Sequence, residues 1–455
     1  MDLSSIKKVH LIGIGGIGIS AIAKFLFENG KQVTGSDVEK SIVIDRLNDS
    51  GIKVVIGHNE SNISEDIDLV IYSVAVPEDN IERLKVREFG IKEITYGEFL
   101  GELSLKYKTI AVTGTNGKTT TSSLLGSTYV DLYLDPTVII GSLLNKFKGN
   151  LHLGSSEYLI VEADEYKANM LKVDPTHILL TSIEEDHLDF YKDIDDIIQH
   201  FQKFVDKLPE DGYLIYNGDD VNIKKLYLPD NSISCGKDDN SDYYYQDLVI
   251  KDGQQKFKVY YKSKLLDDFN LTIPGEYNVL NSLMVIALSH KLKLNLKDVK
   301  ESLIKFNGLW RRYETVGMLE DNVLLISDYT HHPDAIIKTL KASKDFYPDR
   351  RLFLVYQPHQ HDRTKKLFKD FVKAFDLADF TILHEIYDVA GRKYSGDEKV
   401  SSNDIVKEIN KDNVIYSDSF EKTKELINSN LKPNDLLLVM GAGEIDKIAR
   451  ELYAR

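Results

Sequence analysis

A lysine flanked by glycines and hydroxyl residues is the first feature of this sequence with a chemistry attached. Gly114-Thr115-Asn116-Gly117-Lys118-Thr119-Thr120 follows the apolar run Thr109-Ile110-Ala111-Val112 and opens a helical stretch. In such a loop the backbone N–H groups cradle phosphate, the lysine reaches the β and γ oxygens, and a hydroxyl ligates magnesium. The ordinary phosphate loop has four residues between its glycines, which would need glycine at Val112, so this is a variant whose first glycine is Gly114. The strand–loop–helix setting makes ATP the expected ligand of Gly114 to Thr120. A second glycine loop, Gly13-Ile14-Gly15-Gly16-Ile17-Gly18, also lies between a strand and a helix. It permits close approach of a diphosphate to a helix N-terminus. Asp37, about 20 residues further on, could take a ribose hydroxyl. The loop alone does not say which diphosphate, and a glycine turn that only packs helix on strand would look the same.

Acidic residues come next. Glu162-Ala163-Asp164-Glu165 ends a strongly apolar strand, where carboxylates in a chain with a phosphate loop are placed to hold magnesium. One or two ligands would suffice, and solvated acids are the plain alternative. Glu185-Asp186-His187-Leu188-Asp189 follows the next strand, which gives His187 either a metal or phosphate role or a structural one. Further on stand Arg311-Arg312, Asp328-Tyr329-Thr330-His331-His332-Pro333 and Gln357-Pro358-His359-Gln360-His361-Asp362-Arg363. The paired arginines could grip phosphate or carboxylate bidentately, or form a solvated turn. Paired histidines evoke zinc, but neither a cysteine nor an H-E-x-x-H helix accompanies them, so zinc is disfavoured.

These residues need elements to position them. Apolar runs alternate with amphipathic stretches, the pattern of α/β folds with largely parallel sheets. The first segment has strands near Val9–Ile12, Lys31–Thr34, 53–56 and 69–72, with a helix from about Ile17 to Asn29. The pattern breaks near 101–107 and again near 307–312, which predicts domains over 1–106, 107–309 and 310–455. Strands are expected at Thr109–Val112, Tyr158–Glu162 and His177–Thr181, then a small antiparallel excursion after the tyrosine-rich patch 242–246. A turn at 274–278 should precede a helix from Val279 to Leu292, and the last segment adds strands at 323–327, 352–356, 380–383 and 436–440.

The 455 residues suit about three domains, and 42% hydrophobic content excludes global disorder. The single cysteine, Cys235, excludes a disulfide scaffold. No secretory leader or apolar run of about 18 residues is present, so a cytoplasmic protein without a membrane span is expected. A net charge of −15 disfavours nucleic acid as a partner, so anionic ligands must be captured locally.

Taken in order, the motifs resemble the Mur ligases over essentially the whole chain. They are closest to the alanine-adding branch through Ile12–Gly18, Gly35-Ser36-Asp37, Glu162–Glu165, Asp186–Asp189, Arg311-Arg312-Tyr313, Asp328–Pro333 and Gly441-Ala442-Gly443. The resemblance implies an N-terminal Rossmann-like domain for a UDP-sugar, a central P-loop ATPase with a mostly parallel sheet, and a C-terminal Rossmann-like domain closing over both. Gly13, Gly15, Gly16, Ile17, Gly18 and Asp37 would then hold the UDP-sugar, with Lys118, Glu162 and His187 catalytic. Thr119, Glu162 and His187 would hold Mg²⁺; Asn278 and Asn281 would meet the adenine, Arg312 and Asp328 the nucleotide, and His331, His332 and Arg363 the substrates. The implied reaction joins an amino acid to UDP-N-acetylmuramate through an acyl phosphate, with the protein a monomer or weak homodimer.

Departures fall on the incoming amino acid. Asn116 stands where that branch has histidine, Ser327 where it has an acid, and Gln360 where it has arginine. Tyr166-Lys167 after Glu165 is nearer the ligase that recycles a tripeptide. Gln202, beside Lys203, occupies the region where other branches carry a carbamylated lysine, so no carbamate is expected. A P-loop regulatory protein would not need the third segment's histidines and arginines. A dinucleotide oxidoreductase would leave Lys118 unexplained.

Overall fold

The structure is a computed structural model and describes residues 4–187, 190–251, 253–388 and 400–454. Leu188 and Asp189 of the histidine motif lie outside the described residues. The three successive α/β sheets expected from the sequence are present. They fall into two compact units: Met1–Gln246 with Lys258–Asp267 and Leu280–Leu303, and Asp247–Phe257 with Asp268–Val279 and Ile304–Arg455.

The first unit opens with β1 (Lys8–Ile12), α1 (Ile17–Glu28), β2 (Gln32–Asp37), α2 (Ile42–Asp49), β3 (Lys53–Ile56), β4 (Leu69–Tyr72), α3 (Ile81–Glu88), β5 (Lys92–Thr95) and α4 (Tyr96–Ser104). The strands form a parallel sheet in the order β3-β2-β1-β4-β5. β1 can sit at the centre because four of its five residues are buried. Ile12 pairs with Ser36 on one side and Tyr72 on the other, so the strand ends are flush where the order reverses. That is where doubly wound sheets take ligands. Gly13, at φ +76, folds the chain back so that its own N–H and that of Ile14 donate to the Ser36 carbonyl.

The second sheet contains β6 (Lys108–Thr113), β7 (Thr137–Leu144), β8 (Gly149–His152), β9 (Tyr158–Glu162), β10 (His177–Leu180), β11 (Leu214–Asn217), β12 (Ser232–Gly236), β13 (Tyr243–Lys251), β14 (Gln254–Tyr261) and β15 (Lys264–Leu271). Its order is β15-β14-β13-β12-β11-β10-β6-β9-β7-β8. α5 (Lys118–Asp131), α6 (Ile194–Val205), α7 (Glu276–Lys291) and α8 (Leu296–Lys305) interleave with these strands. β6 lies between β9 and β10, with Val112 beside Glu162 and Thr113 beside Leu180. The loops after those three strands therefore leave one edge together. Within the first unit the first sheet and the β6–β11 part of the second share a hydrophobic core that runs from Val9 and Phe25 to Val161 and Phe201. The Asn150 side chain on β8 donates to the Ile17 carbonyl and, at 2.9 Å, to Ser20 Oγ, which pins the start of α1 to the central sheet.

The second unit carries β16 (Glu314–Met318), β17 (Leu324–Asp328), α9 (Pro333–Phe346), β18 (Leu352–Tyr356), α10 (His361–Lys366), α11 (Phe368–Ala374), β19 (Phe380–His384), α12 (Ser402–Ile409), β20 (Val414–Ser417), α13 (Phe420–Asn430), β21 (Leu436–Met440) and α14 (Asp446–Tyr453). The order is β16-β17-β21-β18-β19-β20, parallel except for β16. β17, β18 and β21 are buried along their whole length, with a hydrophobic cluster on either face.

The structure differs from the sequence reading at weakly patterned places. The tyrosine-rich patch is itself the start of β13, paired parallel with β12. β5 and β20 are short strands without a continuous apolar run, and only the sheet completes their backbone bonding. α7 begins at Glu276 rather than Val279, because Gly275 at φ +93 makes the turn earlier and the Asn278 amide then donates to the Pro274 carbonyl at 2.7 Å. Among the described residues, no helix is long and apolar enough to cross a membrane.

Candidate active site

The phosphate loop is built by two glycines and by the neighbouring strand exit. Gly114 and Gly117 have φ +130 and +88, in the region that favours glycine. A β-carbon on Gly114 would meet Ser182 N at 2.7 Å, and one on Gly117 would meet Asn281 Oδ1 at 2.9 Å. Thr115 N–H donates to the Ser182 carbonyl (2.9 Å) and Asn116 N–H to Ser182 Oγ (2.8 Å), while the Asn116 amide donates to Glu184 (3.1 Å). Lys118 and Thr119 then open α5, and Thr120 sits half-buried in its first turn. The cradle is closed to side chains at its glycines and presents helix N–H groups, which fits a phosphate chain.

Lys118 Nζ lies 2.6 Å from the Glu165 carboxylate and also donates to the carbonyls of Gly114 (2.6 Å) and Thr115 (3.1 Å). Burial pushes the Glu165 carboxyl up, against the pull of Lys118. Thr119 Oγ1 donates to Glu162 Oε1 at 3.0 Å, and the other Glu162 oxygen accepts from Gly141 N–H at 2.9 Å. His187, at φ +53, has Nε2 3.8 Å from Glu165 and 3.9 Å from Asp186, with its ring 4.7 Å from that of Tyr166.

The expected metal set is therefore divided. Glu162 ends β9 and is joined to Thr119, whereas His187 groups with Asp164 and Glu165, their ligand atoms all within 4.8 Å of one another. This is the one such group of three among the described residues, and the paired histidines 331 and 332 form none. Carboxylate and hydroxyl oxygens beside a phosphate loop fit Mg²⁺, which takes one or two carboxylates and completes its shell with phosphate and water.

At the first glycine loop, Asp37 Oδ2 accepts from Gly15 N–H at 2.8 Å and Oδ1 from Val38 N–H at 2.7 Å, so this carboxylate braces the loop. Gly16 caps α1 and Ile17 begins it. Gly18 has a packing reason as well: a β-carbon there would stand 2.9 Å from Tyr96 Cζ.

In the second unit the adjacent arginines part company. Arg311 is buried and donates through Nη2 to the carbonyls of Gly441 and, at 2.8 Å, Gly443; Arg312 is exposed. Asp328 accepts from the N–H groups of Tyr313 (2.7 Å) and Thr330 (2.8 Å). His331 is half-buried, its ring 6.0 Å from that of His359, and Arg363 Nη1 lies 3.4 Å from His359 Nδ1. Burial, then Arg363, lowers His331 to about 4. His332 is exposed at the cap of α9, so the two histidines do not converge. Gln202 is tied to the backbone of Tyr227 in both directions, and Lys203 is exposed.

Residues that support the site without a motif are Asn150, Ser182, Glu184 and Tyr96. Only Glu165, inside the Glu162-Ala163-Asp164-Glu165 motif, carried a visible sign.

Comparison with known proteins covers almost the full length. Residues 8–108 match the Mur ligase family, catalytic domain; 112–289 match the Mur ligase middle domain; and 311–443 match the Mur ligase, glutamate ligase domain. The UDP-N-acetylmuramate--L-alanine ligase of Clostridium acetobutylicum is 41% identical, over 99% of this chain and 98% of that protein. The enzyme of the same name from Sulfurihydrogenibium sp. is 38% identical with the same coverage. The crystal structure of a UDP-N-acetylmuramate-alanine ligase from Thermotoga maritima superposes with a TM-score of 0.87 at 29% identity, covering 98% of both chains. A murein peptide ligase from Psychrobacter arcticus shares the fold, with a TM-score of 0.70 at 23% identity over 98% of both chains.

Proposed function

The chain belongs to the Mur ligase family, and on that premise we propose that it joins L-alanine, or a similar amino acid, to the lactyl carboxylate of UDP-N-acetylmuramate with ATP. The reaction would belong to cytoplasmic peptidoglycan precursor synthesis, carried out by a monomer or weak homodimer. The supporting observation is the shared edge of β6, β9 and β10. It gathers a phosphate loop, its lysine, a hydroxyl-linked glutamate and a histidine among carboxylates.

In this reading the domains run 1–106 for the sugar nucleotide, 107–309 for ATP and 310–455 for the amino acid. Gly13 to Gly18 and Asp37 receive the sugar nucleotide, and Gly114 to Thr120 receive the ATP phosphates. Asn278 and Asn281 lie at the adenine, Arg312 and Asp328 at the nucleotide, and His331, His332 and Arg363 at the substrates. Thr119, Glu162 and His187 would hold Mg²⁺, which when bound supplies positive charge against that of the phosphoryl oxygens. Lys118 adds a mobile cation at the transferring group. The lactyl carboxylate attacks the γ-phosphorus and ADP leaves; the amine of the amino acid then attacks the acyl phosphate and phosphate leaves.

The test is phosphate release with UDP-N-acetylmuramate and ATP against alanine, glycine, serine and a tripeptide. Alanine-dependent release supports the assignment. Release with the tripeptide alone would move the protein to the recycling reaction, and no release with any of them would refute the ligase reading.

A further inference from the structure

Tyr96, the first residue of α4, stands between the glycine loop and the acidic strand exit of the first unit. A β-carbon on Gly18 would lie 2.9 Å from Tyr96 Cζ and 3.2 Å from both Cε atoms, so the hydroxyl-bearing end of the ring covers the first turn of α1. That turn is fixed by Asn150 of β8, and on the neighbouring β7 Gly141 N–H donates to Glu162 at 2.9 Å. Burial, followed by the charges of Glu162 and Asp164, holds the Tyr96 phenol well above its ordinary range, so it remains a hydrogen-bond donor.

The ring is firmly placed. Thr95 and Glu98 form a capping box at the start of α4, and Lys172 Nζ donates to Thr95 Oγ1 at 3.0 Å. Gly97 brings α4 close enough that a β-carbon would meet Asn169 Oδ1 at 2.7 Å, on the 3-10 turn that follows Glu165. The Tyr96 hydroxyl nevertheless makes no hydrogen bond among the described residues, although the first turn of α1 lies against its ring and the charges of Glu162 and Asp164 act on it. A rigid, protonated hydroxyl with unused hydrogen-bonding capacity, set between a diphosphate loop and a metal-type carboxylate, is placed for a ligand that spans the two.

We propose that Tyr96 is a substrate-contact residue whose hydroxyl donates to the carboxylate-bearing arm of the sugar nucleotide seated on the Gly13–Gly18 loop. This rests on the assignment of that loop to a UDP-sugar. The hydroxyl orients the arm toward the carboxylates after β9, and the ring excludes water above Gly18. It reads the part of the ligand beyond the diphosphate.

Tyr96→Phe removes the hydroxyl and keeps the ring. Calorimetry on the full chain with UDP-N-acetylmuramate and, separately, with UDP gives the decisive comparison. The variant should bind UDP-N-acetylmuramate at least about tenfold more weakly, with UDP affinity and the KM for ATP held within about twofold. Unchanged UDP-N-acetylmuramate affinity would overturn the proposal, and so would an equal loss for UDP, which would assign the hydroxyl to the diphosphate. Failure of the wild type to bind UDP-N-acetylmuramate would remove the loop assignment and this proposal together. Wild-type binding without turnover would strike only at the proposed reaction.

Discussion

The ammonium of Lys118 and the carboxylate of Glu165 form a buried ion pair at 2.6 Å, with side chains only 12% and 3% exposed. Lys118 is thus folded back onto its own loop, where it also donates hydrogen bonds to the Gly114 and Thr115 carbonyls. In the proposed reaction a nucleotide phosphate on this loop would compete with Glu165 for this cation.

Lys118→Met should lower turnover by at least about a hundredfold, because the proposed role of Lys118 is to hold a cation at the transferring group. It should also lower stability at pH 7 by roughly 1–3 kcal/mol, since Glu165 is left buried without its partner. Adding Glu165→Gln should restore most of that stability and none of the activity. Thermal unfolding and phosphate release on the two variants check both halves, and a fully stable single variant would show that the pair carries no structural weight.

Thr119 and Glu162 are linked by a hydroxyl–carboxylate hydrogen bond of 3.0 Å. Thr119→Val keeps the shape and removes the donor. The Mg²⁺ concentration for half-maximal phosphate release should rise by about tenfold or more, with unfolding temperature nearly unchanged. A Mg²⁺ titration identical to that of the wild type would take Thr119 out of the metal site.

Arg311 and Arg312 give opposite expectations despite being neighbours. Arg311→Lys cannot reproduce a guanidinium that donates to both the Gly441 and Gly443 carbonyls, and should cost about 1–3 kcal/mol of stability. Arg312→Lys is exposed and should leave unfolding unchanged while raising the KM for ATP. Denaturant melts and steady-state kinetics on the two variants should show this exchange of effects.

His177 supplies a pH dependence. Its Nδ1 accepts the Tyr213 N–H at 3.0 Å, which requires the neutral ring. Burial first, opposed by Asp211 and reinforced by Lys108, lowers it to about 4. The unfolded chain therefore binds a proton that the folded chain refuses, so this contribution is intact above about pH 6.5 and is lost as pH falls toward 4. His177→Gln keeps an acceptor and removes the titration. The stability gap between wild type and variant should shift against the wild type by up to about 3 kcal/mol between pH 7 and pH 4. Parallel stability curves for the two proteins would show that His177 does not titrate across folding.

Much of the loop placement was legible along the chain because it depends on local order. A glycine loop must follow a strand and precede a helix, and Gly13–Gly18 and Gly114–Thr120 declare themselves by that placement. Long buried strands such as β17 and β21 are equally plain, since burial on both faces demands an unbroken apolar run. The three-sheet α/β architecture follows from the same alternation.

Tertiary structure decided which side chains share a space. Glu162 and His187 belong to different strand exits, and only the order β10-β6-β9 brings those exits to one edge. The partner of Lys118, the brace between Asp37 and Gly15, and the split between Arg311 and Arg312 are contacts across 47, 22 and 130 residues. No local period encodes such pairings, because strand order, burial and the turns at Gly13 and Gly114 set them together. Residue types and spacing named the chemistry; the packing of two sheets on one core chose the atoms that meet.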